Sequence, residues 1–204
     1  MRLLLTSSGW GNNSKIKSEF LKLTKKKYSD TLIFLINTAE VGSSDWKYVE
    51  EHFMELVKMG FSRKNIKTLD SNKKLDKSFL KNVDIVYVCG GNTFQYLNKI
   101  RKTGADRRIK KMVNRGASYF GISAGSILAG SSIDIAQICD GDENKFRIRN
   151  FSGLKLTDVI VHPHYQEEDE KEVRIFEKVN KKKVIRLKDN QALLIKDKDI
   201  DIIS

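Results

Sequence analysis

The chain has 204 residues and carries 38 Lys and Arg against 26 Asp and Glu, a formal charge of +12; that length buries a full core without staples, so one domain over residues 1–204 is expected. The basic residues fall in small separated groups, Lys25 to Lys27, Lys73 and Lys74, Lys110 and Lys111, and Lys181 to Lys183, mostly without interleaved aromatics, which argues for a solvated surface and against a nucleic-acid track. No apolar run approaches the roughly 18 residues that cross a bilayer, the first residues lack the parts of a signal peptide, and Cys89 and Cys139 sit in apolar stretches that suit reduced thiols, so a cytoplasmic protein without membrane contact is expected.

Apolar periodicity alternates between strand-like and helix-like segments along most of the chain, the pattern of an α/β fold with a mostly parallel, doubly wound sheet covered by helices on both faces. Strands are predicted at Arg2 to Thr6, Thr31 to Asn37, Asn65 to Leu69, Val83 to Cys89 and Ala117 to Ile122. Several are continuous Val, Ile and Leu runs, as strands buried on both faces require. Between them, amphipathic helices are predicted at Ser14 to Lys26, Asp45 to Met59, Asp76 to Lys81, Thr93 to Lys102 and Asp106 to Asn114. The last third adds strands at Ile133 to Ile138 and Val159 to His162 and a charged helix at Glu167 to Lys178. A terminal pair, Val184 to Leu187 and Ala192 to Ile195, is joined by the turn residues Asp189 and Asn190 and reads as an antiparallel hairpin.

The strongest local signal is Gly121-Ile122-Ser123-Ala124-Gly125, set between a strand and the helix-like run Ser126 to Ala129. This is a nucleophile-elbow pattern, which lifts a serine hydroxyl out at the carboxyl end of a strand; the plainer reading is a tight turn in which Ser123 caps a helix. A second turn, Cys89-Gly90-Gly91-Asn92-Thr93, closes the preceding strand and belongs on the same edge of the sheet. There the N–H groups of Gly91 and Ala124 would form an oxyanion hole; a phosphate-binding turn is the alternative. A serine nucleophile needs a base, and the chain has three histidines. His52 falls in an amphipathic helix and reads as a surface residue. His162 and His164 flank Pro163 at a strand end, and His164, the further toward the carboxyl edge, is the expected base. No Cys or His cluster completes a metal site with them, so neither metal nor cofactor is expected. The acid that orients His164 is sought among the carboxylates between Ser123 and His164, with Asp134 first and Asp140 second.

Taken in order and spacing, Gly90-Gly91-Asn92-Thr93-Phe94, Gly121-Ile122-Ser123-Ala124-Gly125-Ser126 and Pro163-His164-Tyr165 resemble the dipeptidase E (aspartyl dipeptidase) family of serine peptidases over nearly the whole chain. The resemblance implies a fold like that of class I glutamine amidotransferases, with Ser123 as nucleophile, His164 as base, and Gly91 and Ala124 as oxyanion donors. It implies hydrolysis of short peptides, N-terminal aspartyl dipeptides among them, without metal or cofactor, by a monomer or homodimer. Asn92 and Thr93 are expected to contact substrate, and Lys171 stands where the family reads the aspartyl side chain with Arg, although an offset to Arg174 is open. A lysine offers a point charge in place of a bidentate fork, so aspartyl specificity is expected to be relaxed. The rival readings are an esterase or amidase on the same triad, and a non-catalytic amidotransferase-like or nucleic-acid-binding module.

Overall fold

The structure of the chain, a computed structural model, describes residues 1–37, 46–69, 76–139 and 141–204. Five parallel strands form the body of the main sheet: β1 (Arg2–Thr6), β2 (Ile33–Ile36), β3 (Ile66–Thr68), β4 (Ile85–Val88) and β5 (Ser118–Ile122). Two antiparallel strands, β8 (Ala192–Lys196) and β9 (Asp199–Ile203), extend it beside β1, giving the order β3-β2-β4-β5-β1-β8-β9. A separate two-stranded parallel sheet pairs β6 (Ile160–His162) with β7 (Val184–Arg186).

Side-chain alternation decides which face each strand residue serves. On β1, Leu3 and Leu5 join one core while Leu4 joins the other; on β4, Val86 and Val88 face the first and Ile85 and Tyr87 the second. Both faces are dry, which is why these strands carry unbroken apolar runs. The second core is closed by α1 (Ser14–Leu21) and α2 (Trp46–Lys58), where Trp10, Phe20, Tyr87 and Phe120 pack ring against ring with centroids 4.8–6.2 Å apart. The first core is closed by α3 (Lys77–Lys81), α4 (Thr93–Lys102), α5 (Ala105–Asn114), α6 (Ala124–Ala129) and α7 (Glu170–Asn180). Among the described residues, no helix is long and apolar enough to cross a membrane.

Three segments depart from the sequence reading. Ile133 to Ile138, expected as a strand, is a 3-10 turn over Asp134–Gln137. Ser132 Oγ donates to the Asp134 carboxylate at 2.5 Å and accepts from Asp134 N–H at 3.2 Å, and such local bonds compete with a strand ladder. The expected hairpin between Val184 to Leu187 and Ala192 to Ile195 does not form, because β7 pairs in parallel with β6 and β8 pairs with β1. The C-terminal hairpin is instead β8 with β9, turning through Asp197 in the left-handed region at φ 54°. Its outer strand β9 is a sheet edge, with Ile200 and Ile202 about half exposed and Asp201 between them, so it carries no unbroken apolar run to mark it.

Candidate active site

The serine sits on a strained bend at the end of β5. Ser123 has φ 48° and ψ −111°, a region that non-glycine residues rarely occupy and that costs of order 1–3 kcal/mol. Its backbone N–H donates to Thr6 O at 3.0 Å, fixing the bend to the end of β1. The hydroxyl makes no capping bond to α6, which removes the reading of Ser123 as a helix cap. The flanking glycines act through space and not through their own φ. A Cβ on Gly121 would lie 2.7 Å from the Gly125 carbonyl, and one on Gly125 would lie 2.5 Å from Val88 O. The serine takes the awkward torsion, and the glycines let β5, α6 and β4 close around it.

His164 approaches from the other sheet. It follows Pro163 at the end of β6 and holds φ 57°, and its N–H donates to Ser7 Oγ at 2.7 Å. Its Nε2 lies 2.9 Å from Ser123 Oγ, and its Nδ1 lies 2.5 Å from Asp189 Oδ1. The expected acid is therefore displaced. Asp134 is bonded to Ser132 in the 3-10 turn and makes no bond to His164, while Asp140 lies outside the described residues. Asp189 occupies the turn between β7 and β8, held by Ser7 Oγ, which donates to its Oδ1 at 3.2 Å, and by Ser8 Oγ on its carbonyl. The sequence reading assigned Asp189 to turn chemistry and sought the acid only between Ser123 and His164; the chain order is serine, histidine, aspartate.

A cleft of 560 Å³ opens over this serine, lined among others by Ser7, Asn37, Tyr48, Gly91, Gln95 and His164. Gly91 has φ 140°, and a Cβ on the neighbouring Gly90 would lie 3.2 Å from the Tyr48 hydroxyl and 3.7 Å from Ser123 Cβ. Both glycine turns thus lie at one edge of the sheet. Asn92 lines the cleft too, but its side chain is already engaged: Oδ1 caps α4 by accepting from Gln95 N–H at 2.9 Å, and Nδ2 donates to Glu143 O at 3.0 Å.

Two expected substrate contacts are misplaced. Thr93 is fully buried, does not line the cleft, and its N–H donates to Asp142 Oδ2 at 2.7 Å. Lys171 projects from the exposed side of α7, away from the cleft lining, and Arg174 on the same helix pairs with Glu170 at 2.6 Å. Among the described lining residues there is no Lys or Arg.

The remaining histidines differ from expectation or turn elsewhere. His52 is not a surface residue: its side chain is 13% exposed and Nδ1 lies 2.9 Å from the Tyr87 hydroxyl. Burial pushes it down to about 4. Beside it, burial with the nearby Cys89 raises Tyr48 to about 12. His162 points away from Ser123, with Nε2 3.2 Å from Asp169 Oδ2.

The family model for Peptidase family S51 matches residues 3–203. The chain belongs to peptidase family S51. It is 31% identical over 124 residues to an uncharacterised peptidase of Listeria monocytogenes, covering 59% of this chain and 60% of that one. It is 29% identical over 170 residues to a peptidase E of a Nostoc species, covering 80% of this chain and 65% of the relative. Each alignment thus spans less than two thirds of the relative's length. A crystal structure described as a candidate peptidase E from Listeria monocytogenes superposes with a TM-score of 0.74 at 26% identity, covering 99% of this chain and 97% of the other. A peptidase from an acI-B1 actinobacterium shares the fold, with a TM-score of 0.66 at 17% identity, covering 100% of this chain and 87% of the other. S51 is a family of peptidases, and the α/β fold described above is shared with the solved structures it resembles.

Proposed function

We propose that the protein is a serine peptidase that cleaves short peptides through an acyl-enzyme, with Ser123, His164 and Asp189 as its triad. The observation that carries the reading is the pair of contacts at His164, 2.9 Å to the serine hydroxyl and 2.5 Å to the aspartate. Ser123 Oγ attacks the scissile carbonyl while His164 Nε2 takes its proton. Gly91 and Ala124 N–H groups receive the developing oxyanion. His164 then hands the proton to the leaving amine, and water resolves the acyl-enzyme by the reverse sequence. Asp189 keeps the imidazole proton on Nδ1 and stabilises the imidazolium that forms.

The cleft favours peptides with a free amino terminus and an uncharged first side chain over aspartyl peptides. No described cation lines it. Asn37 is 2% exposed, and its Oδ1 has no partner among the described residues. It is an acceptor suited to the substrate ammonium.

A fluorophosphonate probe followed by peptide mapping tests the chemistry: label on Ser123, absent in Ser123→Ala, is expected. Dipeptides differing only in their first residue test the preference, with Ala or Ser cleaved faster than Asp. Unchanged hydrolysis by Ser123→Ala would defeat the serine mechanism, and faster cleavage of the aspartyl peptide would defeat the specificity.

A further inference from the structure

We propose that Cys139, His162 and Asp169 form a binding site for zinc, separate from the serine centre. The three come from distant parts of the chain: Cys139 follows the 3-10 turn of residues 134–137, His162 ends β6, and Asp169 precedes α7. Their ligand atoms, Sγ, one ring nitrogen and one carboxylate oxygen, all lie within 4.8 Å of one another. His162 Nε2 and Asp169 Oδ2 are 3.2 Å apart. Tetrahedral zinc with bonds of about 2.0–2.1 Å to nitrogen and oxygen separates such a pair by roughly 3.3 Å. The sulfur edge of the same tetrahedron is roughly 3.6 Å, so Sγ must close by at most about 1.2 Å, within reach of a side-chain rotation.

The chemistry of the set is also right for this ion. A soft sulfur, an imidazole and a single carboxylate are zinc ligands, while calcium and magnesium take oxygen sets. Asp169 and Glu172 lie beside Cys139, whose Sγ is 3.9 Å from Asp169 O and whose N–H donates to Glu172 Oε2. A dication would neutralise that negative surround. On binding, Cys139 loses its S–H proton to solvent and forms the metal–sulfur bond, and His162 binds through Nε2 with its proton on Nδ1. The fourth position is left to water or to the Glu172 carboxylate, whose Oε2 accepts from Cys139 N–H at 2.9 Å. The histidine pair that looked incomplete in sequence thus divides its labour: His164 faces the serine and His162 faces a sulfur and a carboxylate.

The test is cobalt titration of the chelator-treated full-length chain, with zinc stoichiometry measured by plasma emission after desalting. One ion per chain and a sulfur-to-cobalt charge-transfer band are expected. Both should be lost in Cys139→Ser and in His162→Gln and kept in Ser123→Ala and His164→Gln. If Cys139→Ser does not fold, Cys89→Ser decides, since the band must survive the removal of the other thiol. Absence of the band from the native chain, or its persistence in folded Cys139→Ser, overturns the proposal. Loss of the ion in His164→Gln overturns it as well, because the metal would then belong to the His162–His164 pair.

Discussion

Replacing Asp189 by Asn keeps the shape of the side chain and removes its charge, which makes it the sharpest probe of the proposed triad. An amide can donate to His164 Nδ1 and so favours the tautomer with the proton on Nε2, where it cannot accept from Ser123. The charge-assisted bond at 2.5 Å is worth about 1.5–3 kcal/mol, and loss of the correct tautomer adds to that. Against this, the Asp189 side chain is 60% exposed, so water partly replaces the lost acceptor, unlike the buried aspartate of a chymotrypsin-type triad, where the same change costs about 10⁴ in kcat. The expected loss is therefore about 10²–10³ in kcat, equivalent to about 3–4 kcal/mol of barrier, with KM changed little because Asp189 is not part of the cleft lining. Stopped assays on an alanyl dipeptide with Asp189→Asn and Asp134→Asn in parallel give the comparison. Activity of Asp189→Asn within threefold of native, or a greater loss in Asp134→Asn, would refute the assignment.

Ser7→Ala should lower kcat by about tenfold, because one hydroxyl holds both His164 N–H and the Asp189 carboxylate and each such bond is worth about 1 kcal/mol; Ser7→Thr should restore part of the loss, and a rise in KM alone would contradict this. Ser123→Gly should abolish hydrolysis yet raise Tm by about 2–4 °C, since relief of about 1–3 kcal/mol of backbone strain outweighs a glycine entropy cost of about 0.5–1 kcal/mol; differential scanning calorimetry reads it, and a fall in Tm would show the bend to be unstrained. His52 is held at about 4 in the fold against an ordinary 6.5, so the unfolded chain binds more protons in that interval. The His52 contribution is complete above pH 6.5 and is lost as pH falls toward 4, by at most about 3 kcal/mol. Urea unfolding at several pH values should show a shallower slope over this window in His52→Gln.

How much of this was legible in the sequence follows from how local each signal is. The elbow could be read because strand, serine and helix are contiguous, and the parallel strands because burial on both faces writes itself as unbroken apolar runs such as Ile33–Ile36 and Ile85–Val88. Asp134 was attractive for the same reason, a carboxylate flanked by isoleucines, yet that flanking reports only that Ile133 and Ile135 are buried. Asp189 carried no such mark, since an Asp-Asn pair between two apolar strands reads first as a turn. Its role depends on β8 leaving β7 to pair with β1, a choice of partner that no window of sequence encodes. Cys139 and Asp169 were missed beside His162 for the same reason, because the contact joins three segments whose pairing is set by the packing of β6 against the 3-10 turn and α7.

The carboxyl end of β1 explains why Ser123, His164 and Asp189 meet where they do. Thr6 O accepts from Ser123 N–H at 3.0 Å and from Ser126 Oγ at 2.7 Å, so the elbow is tied to β1 on one side. On the other side, Ser7 N–H donates to Gln191 O at 3.1 Å, bringing the Asp189 turn alongside, and Ser7 Oγ receives His164 N–H. Thr6, the last residue of β1, and Ser7 just past it thus hold a helix-leading turn from β5, a strand end from the second sheet and the turn entering β8. A site assembled from rigid strand ends keeps its geometry when the surrounding surface varies. Lys171 and Arg174 sit on α7, whereas the bonds from Thr6 and Ser7 to Ser123, His164 and Asp189 run through the sheet edge.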